Sequence, residues 1–209
     1  MTKVYPNSLI LGSPAPEVDA CAEPAALTVW RKSLLFNCSG FTVFDAKGSL
    51  VFRVDNYSSE SRTEIVLMDA AGKPLFAIRR KRLSLADHWQ IYEGEGAAPA
   101  ARPSFSMRKH ATLFSSKALA RVIPCSRAAG EAGPIYSVEG SFSQRACVVY
   151  DERRRPVAEV QRKEAVAGVS FGGDVFRLVV QPDFDAGLAM AVVILLEQMF
   201  GSRAAPLKG

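Results

Sequence analysis

Histidine is scarce in this chain: of 209 residues only His88 and His110 carry an imidazole. Cysteine is scarce too, with four, at positions 21, 38, 125 and 147, and no two fall in a Cys-x-x-Cys pair. A zinc site needs about four such ligands at close spacing, so no metal centre is expected. No serine or cysteine is expected in a nucleophile-elbow context, Gly-x-Ser-x-Gly. The glycine-rich stretch Gly168 to Gly173 precedes a strand, lacks the Lys-Ser/Thr of a phosphate-binding loop and reads as a turn. His88 adjoins Trp89 in a strand-like segment, His110 follows Arg108-Lys109, and Cys147 opens an apolar strand. These read as structural or surface groups. The chain is therefore read as a non-enzyme with no cofactor.

Long apolar runs are also missing, with one exception. Residues 186–196 contain no polar side chain, and the run is eleven residues long. A membrane span needs about 20. A helix apolar on every face is either buried or in lipid, so this one is expected inside protein, over residues 185–200. The N-terminus carries Lys3 but only the short patch Leu9-Ile10-Leu11, which is no secretory signal. The thiols are accordingly expected to be reduced. The sequons at Asn37 and Asn56 are expected to stay unmodified.

What is present is β-rich. Residues 27–30, 34–36, 41–44 and 50–54 are short, rich in β-branched and aromatic side chains, and separated by turn chemistry. Further strands are predicted at 88–92, 104–109, 111–114, 135–138, 141–143 and 174–181. The segments 93–103 and 126–134 are rich in Gly, Ala and Pro and read as exposed loops. A short motif recurs: four mostly apolar residues followed by aspartate, ending at Asp45, Asp69 and Asp151. Gly48 and Gly72 complete the first two as type I hairpin turns with a glycine at positive φ. The third, Asp151-Glu152-Arg153-Arg154, has no glycine, and a wider or differently shaped loop is expected there. The second and third copies match further: after their loops Lys73-Pro74-Leu75 lines up with Arg155-Pro156-Val157, and Arg80-Lys81 with Arg162-Lys163, whereas the first copy has Asn56 and Tyr57 at the latter positions.

Ten to twelve strands followed by one all-apolar helix define a mainly β (α+β) chain. The predicted architecture is a closed antiparallel β-barrel enclosing the C-terminal hydrophobic helix, since closure alone covers that helix on every side. Two sheets clasping it from one side are the weaker alternative. Residues 1–26 read as an irregular arm, 27–200 as one barrel domain and 201–209 as a loose tail. Asp183 or Asp185 is expected to cap the helix, and Gly201 to lie just past its end.

With these residues in view the chain resembles the LURP-one-related family of plants, formerly the DUF567 group, in the tubby/scramblase structural class. The carrying segments are residues 27–36, 41–45, 50–58 and 67–69 with Gly72, Lys81, residues 174–180 and the apolar helix. The resemblance implies a twelve-stranded barrel threaded by the helix. It departs at residues 151–155, where a glycine turn is usual. It further implies a link to plant defence, and kinship with phosphoinositide-binding tubby proteins and membrane-associated scramblases. No ligand motif of those relatives can be placed here residue by residue.

The net charge is +5 and the isoelectric point about 9.1, a balance that favours acidic partners. The densest cationic run is Arg79-Arg80-Lys81-Arg82. On a strand, Arg79 and Lys81 face one way and Arg80 and Arg82 the other. Together with Arg162 and Lys163, and with residues 153–155, this run is the candidate anionic-headgroup patch. The plainer alternative is a set of solvated strand ends that discourage edge pairing. Nucleic acid is not favoured, because no helix carries a basic stripe. The expected partners are acidic phospholipids or, alternatively, a protein captured by the loops 93–103 and 126–134. A monomeric, cytoplasmic protein, peripheral at the plasma membrane, fits this reading; a nuclear location is left open.

Overall fold

The computed structural model describes residues 23–32, 34, 39–56, 64–81, 84, 87–95, 102–110, 118–125, 136–163 and 172–201. Among the described residues twelve strands precede one helix. They are β1 (Ala25–Trp30), β2 (Ser39–Phe44), β3 (Leu50–Asn56), β4 (Glu64–Asp69), β5 (Pro74–Arg80) and β6 (His88–Glu93). There follow β7 (Phe105–Lys109), β8 (Ala118–Pro124), β9 (Tyr136–Ser141), β10 (Ala146–Tyr150), β11 (Pro156–Arg162) and β12 (Val175–Val180). Each strand pairs antiparallel with its chain neighbours, and β12 pairs with β1, so the sheet closes on itself. The expected barrel is present, and none of the twelve described strands is left as an edge to pair with another chain.

The side chains alternate as a half-buried sheet requires. On β1, Leu27 and Val29 point inward and are buried, while Thr28 points out. On β12, Phe176, Leu178 and Val180 do the same around Arg177. Inside lies α1 (Ala186–Phe200). Every residue from Gly187 to Leu196 is buried, and Met199 with them. Ile194, Leu195 and Leu196 have no exposed surface at all. Burying each such side chain contributes about 1.5–3 kcal/mol. No described helix is long and apolar enough to cross a membrane.

Strict alternation of direction gives the barrel two ends. One carries the β2–β3, β4–β5 and β10–β11 hairpins and the start of α1. The other carries the C-terminal ends of β1, β3, β5, β7, β9 and β11 and the end of α1. At the first end the Asp185 carboxylate accepts from the Leu188 N–H at 2.6 Å, so Asp185 rather than Asp183 is the cap. At the second end the helix supplies no basic residue to its own last turn. The barrel does so instead. Arg31 reaches Glu197 at 2.8 Å, Arg145 reaches it at 3.3 Å, and the Lys109 ammonium sits 4.6 Å from the centre of the Phe200 ring. Cations at a helix C-terminus are favourable, and here they also neutralise a glutamate that the dipole disfavours. Gly201 follows with φ −60°, ordinary for any residue. It is glycine because a Cβ would lie 2.4 Å from the Glu197 carbonyl oxygen.

The third hairpin corrects one expectation. Its loop is neither wider nor different. Asp151 N–H donates to the Arg155 carbonyl at 3.0 Å, matching Asp69 to Lys73 at 3.0 Å and Asp45 to Ser49 at 2.9 Å. Arg154 takes the glycine position, with φ +63° beside +82° and +88° for Gly48 and Gly72. A non-glycine residue in that region costs free energy. Two contacts offset it: Arg154 grips Glu139 at 2.5 and 3.2 Å and stacks 4.4 Å above Tyr150.

Other boundaries also moved. β8 was not predicted, and residues 142–145 form a turn where a strand at 141–143 was expected. β1 starts at Ala25, inside the segment read as an arm. The predicted strand 111–114, residues 35 and 36, and most of the loops 93–103 and 126–134 lie outside the described residues, as do residues 1–22 and 202–209.

Candidate functional site

β5 runs to the end of the barrel where the helix exits. Ile78 faces inward against Ile65, so Arg79 and Lys81 face outward, as the alternation predicted. Arg79 is ion-paired with Glu64 and lies 5.2 Å from the Tyr92 ring centre. Arg80 is ion-paired with Asp87 at 2.9 Å. Arg82 lies outside the described residues. Arg162 and Lys163 end β11, at the same end of the barrel. In the ring order β11 is six positions of twelve from β5, so the two groups occupy opposite walls. The structure does not bring them together. Arg154 and Arg155 sit at the other end, committed to Glu139, Asp151 and Asp183.

Lys81 has other neighbours. Its N–H donates to the His88 carbonyl at 2.8 Å, which sets it beside His88 on β6. His88 pairs with Arg108 on β7, and Arg108 with Arg121 on β8. Paired residues share a face, so Lys81, His88, Arg108 and Arg121 form one row across the outer wall. Three strand spacings put its ends about 14 Å apart. Lys81, Arg108 and Arg121 are exposed, and none of the three has an ion pair among the described residues. Like charges directly opposite on neighbouring strands are destabilising, so the Arg108–Arg121 pair costs stability in the isolated protein. The adjacent row supplies neutral hydrogen-bonding groups, Gln90 and Ser106.

His88 is the buried member, 5 % exposed, with its Nε2 2.5 Å from the Ser106 hydroxyl. Burial holds its pKa below the ordinary value, and the charges of Arg108 and Lys81 push the same way. Cys125, just past β8, is exposed; burial of the thiol raises its pKa, while Lys81 and Arg108 oppose the rise. Lys81 and Arg108 therefore bear on both His88 and Cys125. Cys147 lies inside the barrel, where burial drives its pKa up to about 12.

Reasoning along the chain found Lys81 but missed Arg108 and Arg121 as members of a site. Arg108 stands in a visible Arg-Lys-His triplet. Arg121 is isolated between Ala120 and Val122 in a strand that went unrecognised. Only the register of three strand pairs aligns them. One expectation is corrected by the letters themselves: Gly168-x-Ser170-x-Gly172 does fit the elbow pattern, although the next described element is the strand β12 and not a helix. Among the described residues no group of acidic, histidine or cysteine side chains could hold a metal ion.

The chain is similar over nearly its whole length to known plant proteins. Protein LURP-one-related 8 of Arabidopsis thaliana is 48% identical over 208 residues, 97% of this chain and 100% of that protein. Protein LURP-one-related 17 of the same plant is 45% identical, covering 83% of this chain and 82% of its own. A crystal structure of an Arabidopsis thaliana protein, 25% identical, superposes with a TM-score of 0.61 over 85% of this chain and 93% of that one. The LURP-one-related family model matches residues 25–197, a span from the first strand of the barrel to the ion-paired glutamate of the helix. The chain therefore belongs to the LURP-one-related family.

Proposed function

We propose that this chain is a non-enzymatic binding module whose β5–β8 wall docks reversibly on acidic phospholipid headgroups. The observation that carries the reading is the row Lys81, Arg108, Arg121, three outward cations in register without counter-ions among the described residues. Each basic residue near an anionic leaflet contributes about 1 kcal/mol. Three such residues support weak, salt-sensitive attachment rather than permanent anchorage. Gln90 and Ser106 supply hydrogen bonds to phosphate oxygens in the next row. The one described helix is buried inside the barrel, so contact on this reading is at headgroup depth. The likeness to phosphoinositide-binding tubby proteins points the same way, as does the family's link to plant defence, which gives docking a setting at the cytoplasmic face of the plasma membrane.

The test is co-sedimentation with phosphoinositide-containing vesicles at physiological salt. Retention above that on neutral vesicles, lost as salt is raised, is expected. Equal retention on both kinds of vesicle rejects the reading.

A second reading is a protein-interaction adaptor in defence signalling. Its support is topological: the segments after β6 and after β8 leave the barrel at one end from neighbouring strand pairs. Shortening both segments should abolish partner capture while the melting transition persists; capture that survives rejects it.

A further inference from the structure

On the wall opposite the proposed docking face, β11, β12 and β1 enclose a groove of about 290 Å³. Its floor is a row set by register: Thr28 on β1 lies opposite Arg177 on β12, and Arg177 opposite Gln161 on β11. Lys163 closes one side, its ammonium donating to the Thr28 hydroxyl at 3.0 Å. Arg162 stands beside it, and Ala46 of the first hairpin completes the wall.

The chemistry of the lining is one-sided. Arginine and lysine donate only, Thr28 and Gln161 can each donate, and none of the described residues that line the groove is a carboxylate. Neither Arg162 nor Arg177 has an ion pair among the described residues. A site with several convergent donors and surplus positive charge matches a group with several acceptor oxygens and surplus negative charge. A phosphate monoester has three such oxygens and about −1.5 to −2 charges at neutral pH. The planar guanidinium of Arg177 suits its bidentate capture, and the Thr28 hydroxyl, already fixed by Lys163, is set to donate to it. The size of the groove admits a compact ligand rather than a polymer, and Ala26, Leu27 and Ala46 offer apolar surface to its carbon skeleton.

We propose that this groove binds a small soluble phosphate monoester through Arg177, Lys163 and Thr28. The site is separate from the headgroup-docking wall: β12 and β7 are five ring positions apart, close to opposite sides of the barrel. A membrane held against β5–β8 leaves the groove open to solution, so both sites can be occupied together.

Calorimetric titration with phenyl phosphate, with benzyl alcohol as the neutral control, tests this at physiological salt. Saturable one-to-one binding of phenyl phosphate alone is expected, weakened at least tenfold in Arg177→Gln and less in Arg177→Lys, with unchanged melting curves. The double variant R108E/R121E should bind phenyl phosphate as the wild type does, which separates this site from the docking wall. Absence of saturable binding, or equal binding by Arg177→Gln, overturns the proposal. So does a loss of retention on phosphatidic acid vesicles by Arg177→Gln as large as that by R108E/R121E, because the groove would then be a lipid contact.

Discussion

Arg108 and Arg121 stand directly opposite one another on β7 and β8, both outward and both without an ion pair among the described residues. A cross-strand pair of like charge opposes folding by about 0.2–1 kcal/mol. Reversing the charge of one member should therefore stabilise the protein and weaken its docking. Arg121→Glu is predicted to raise the unfolding free energy by up to about 1 kcal/mol, measured by urea denaturation, while lowering retention on acidic vesicles. Loss of stability on this substitution would mean that the pair is held by something other than the ligand invoked here.

His88 makes the same wall sensitive to pH. Burial, then Arg108, then Lys81, hold its folded pKa below the ordinary 6.5. As pH falls the unfolded chain takes up the proton first, so the neutral ring favours the native state fully above about 6.5. That stability is lost as pH falls from there through the folded value. The melting temperature should drop between pH 7.5 and 5.5 by more in the wild type than in His88→Gln. A docked anion offsets Arg108 and Lys81, so acidic headgroups should raise the His88 pKa in an NMR titration. A pKa unmoved by headgroups that do bind would place them elsewhere.

Glu197 ties the helix to the barrel mouth through Arg31 and Arg145. The Arg145 side chain is 9% exposed, sandwiched 4.4 and 4.3 Å from the Phe142 and Phe176 rings, and it donates to the Gly173 carbonyl. Removing the carboxylate leaves a buried guanidinium short of its counter-charge, a situation that costs about 3 kcal/mol. Glu197→Gln should lose roughly that much in urea denaturation, and R145M/E197Q should lose less than the sum of its single variants. A cost for Glu197→Gln below about 0.5 kcal/mol, the level of an ordinary surface change, would remove the ion pairs from the account of helix seating.

The two described cysteines should differ sharply in reactivity. Cys125 is exposed, whereas Cys147 is buried with a pKa near 12. Because thiolate is the reactive form, iodoacetamide at pH 8 should label Cys125 in the native protein and Cys147 only after denaturation, read by peptide mass spectrometry. Native labelling of Cys147 would show that the barrel opens.

The fold was legible because its signals are local. Eleven apolar residues in succession announce a buried helix, and Asp-x-x-Gly between β-branched runs announces hairpins. Where the hairpin signal was incomplete, at Arg154, the shortfall was made good by Glu139, fifteen residues away, and no local reading reaches that far. β8 escaped notice for a related reason. Its sequence, ALARVIP, has the alanine and leucine of a helix, and it is a strand because the ring needs one between β7 and β9. The candidate site suffered most. A charge run is visible along the chain, but a charge row is assembled across it, and Lys81 and Arg121 are forty positions apart.

The most direct measurement compares two charge-reversed proteins on phosphoinositide vesicles by flotation at physiological salt: R108E/R121E on the β7–β8 wall, and R162E/K163E at the end of β11. The account predicts that the first is released and that the second floats with the wild type. Equal release of both, or release of the second alone, would contradict it.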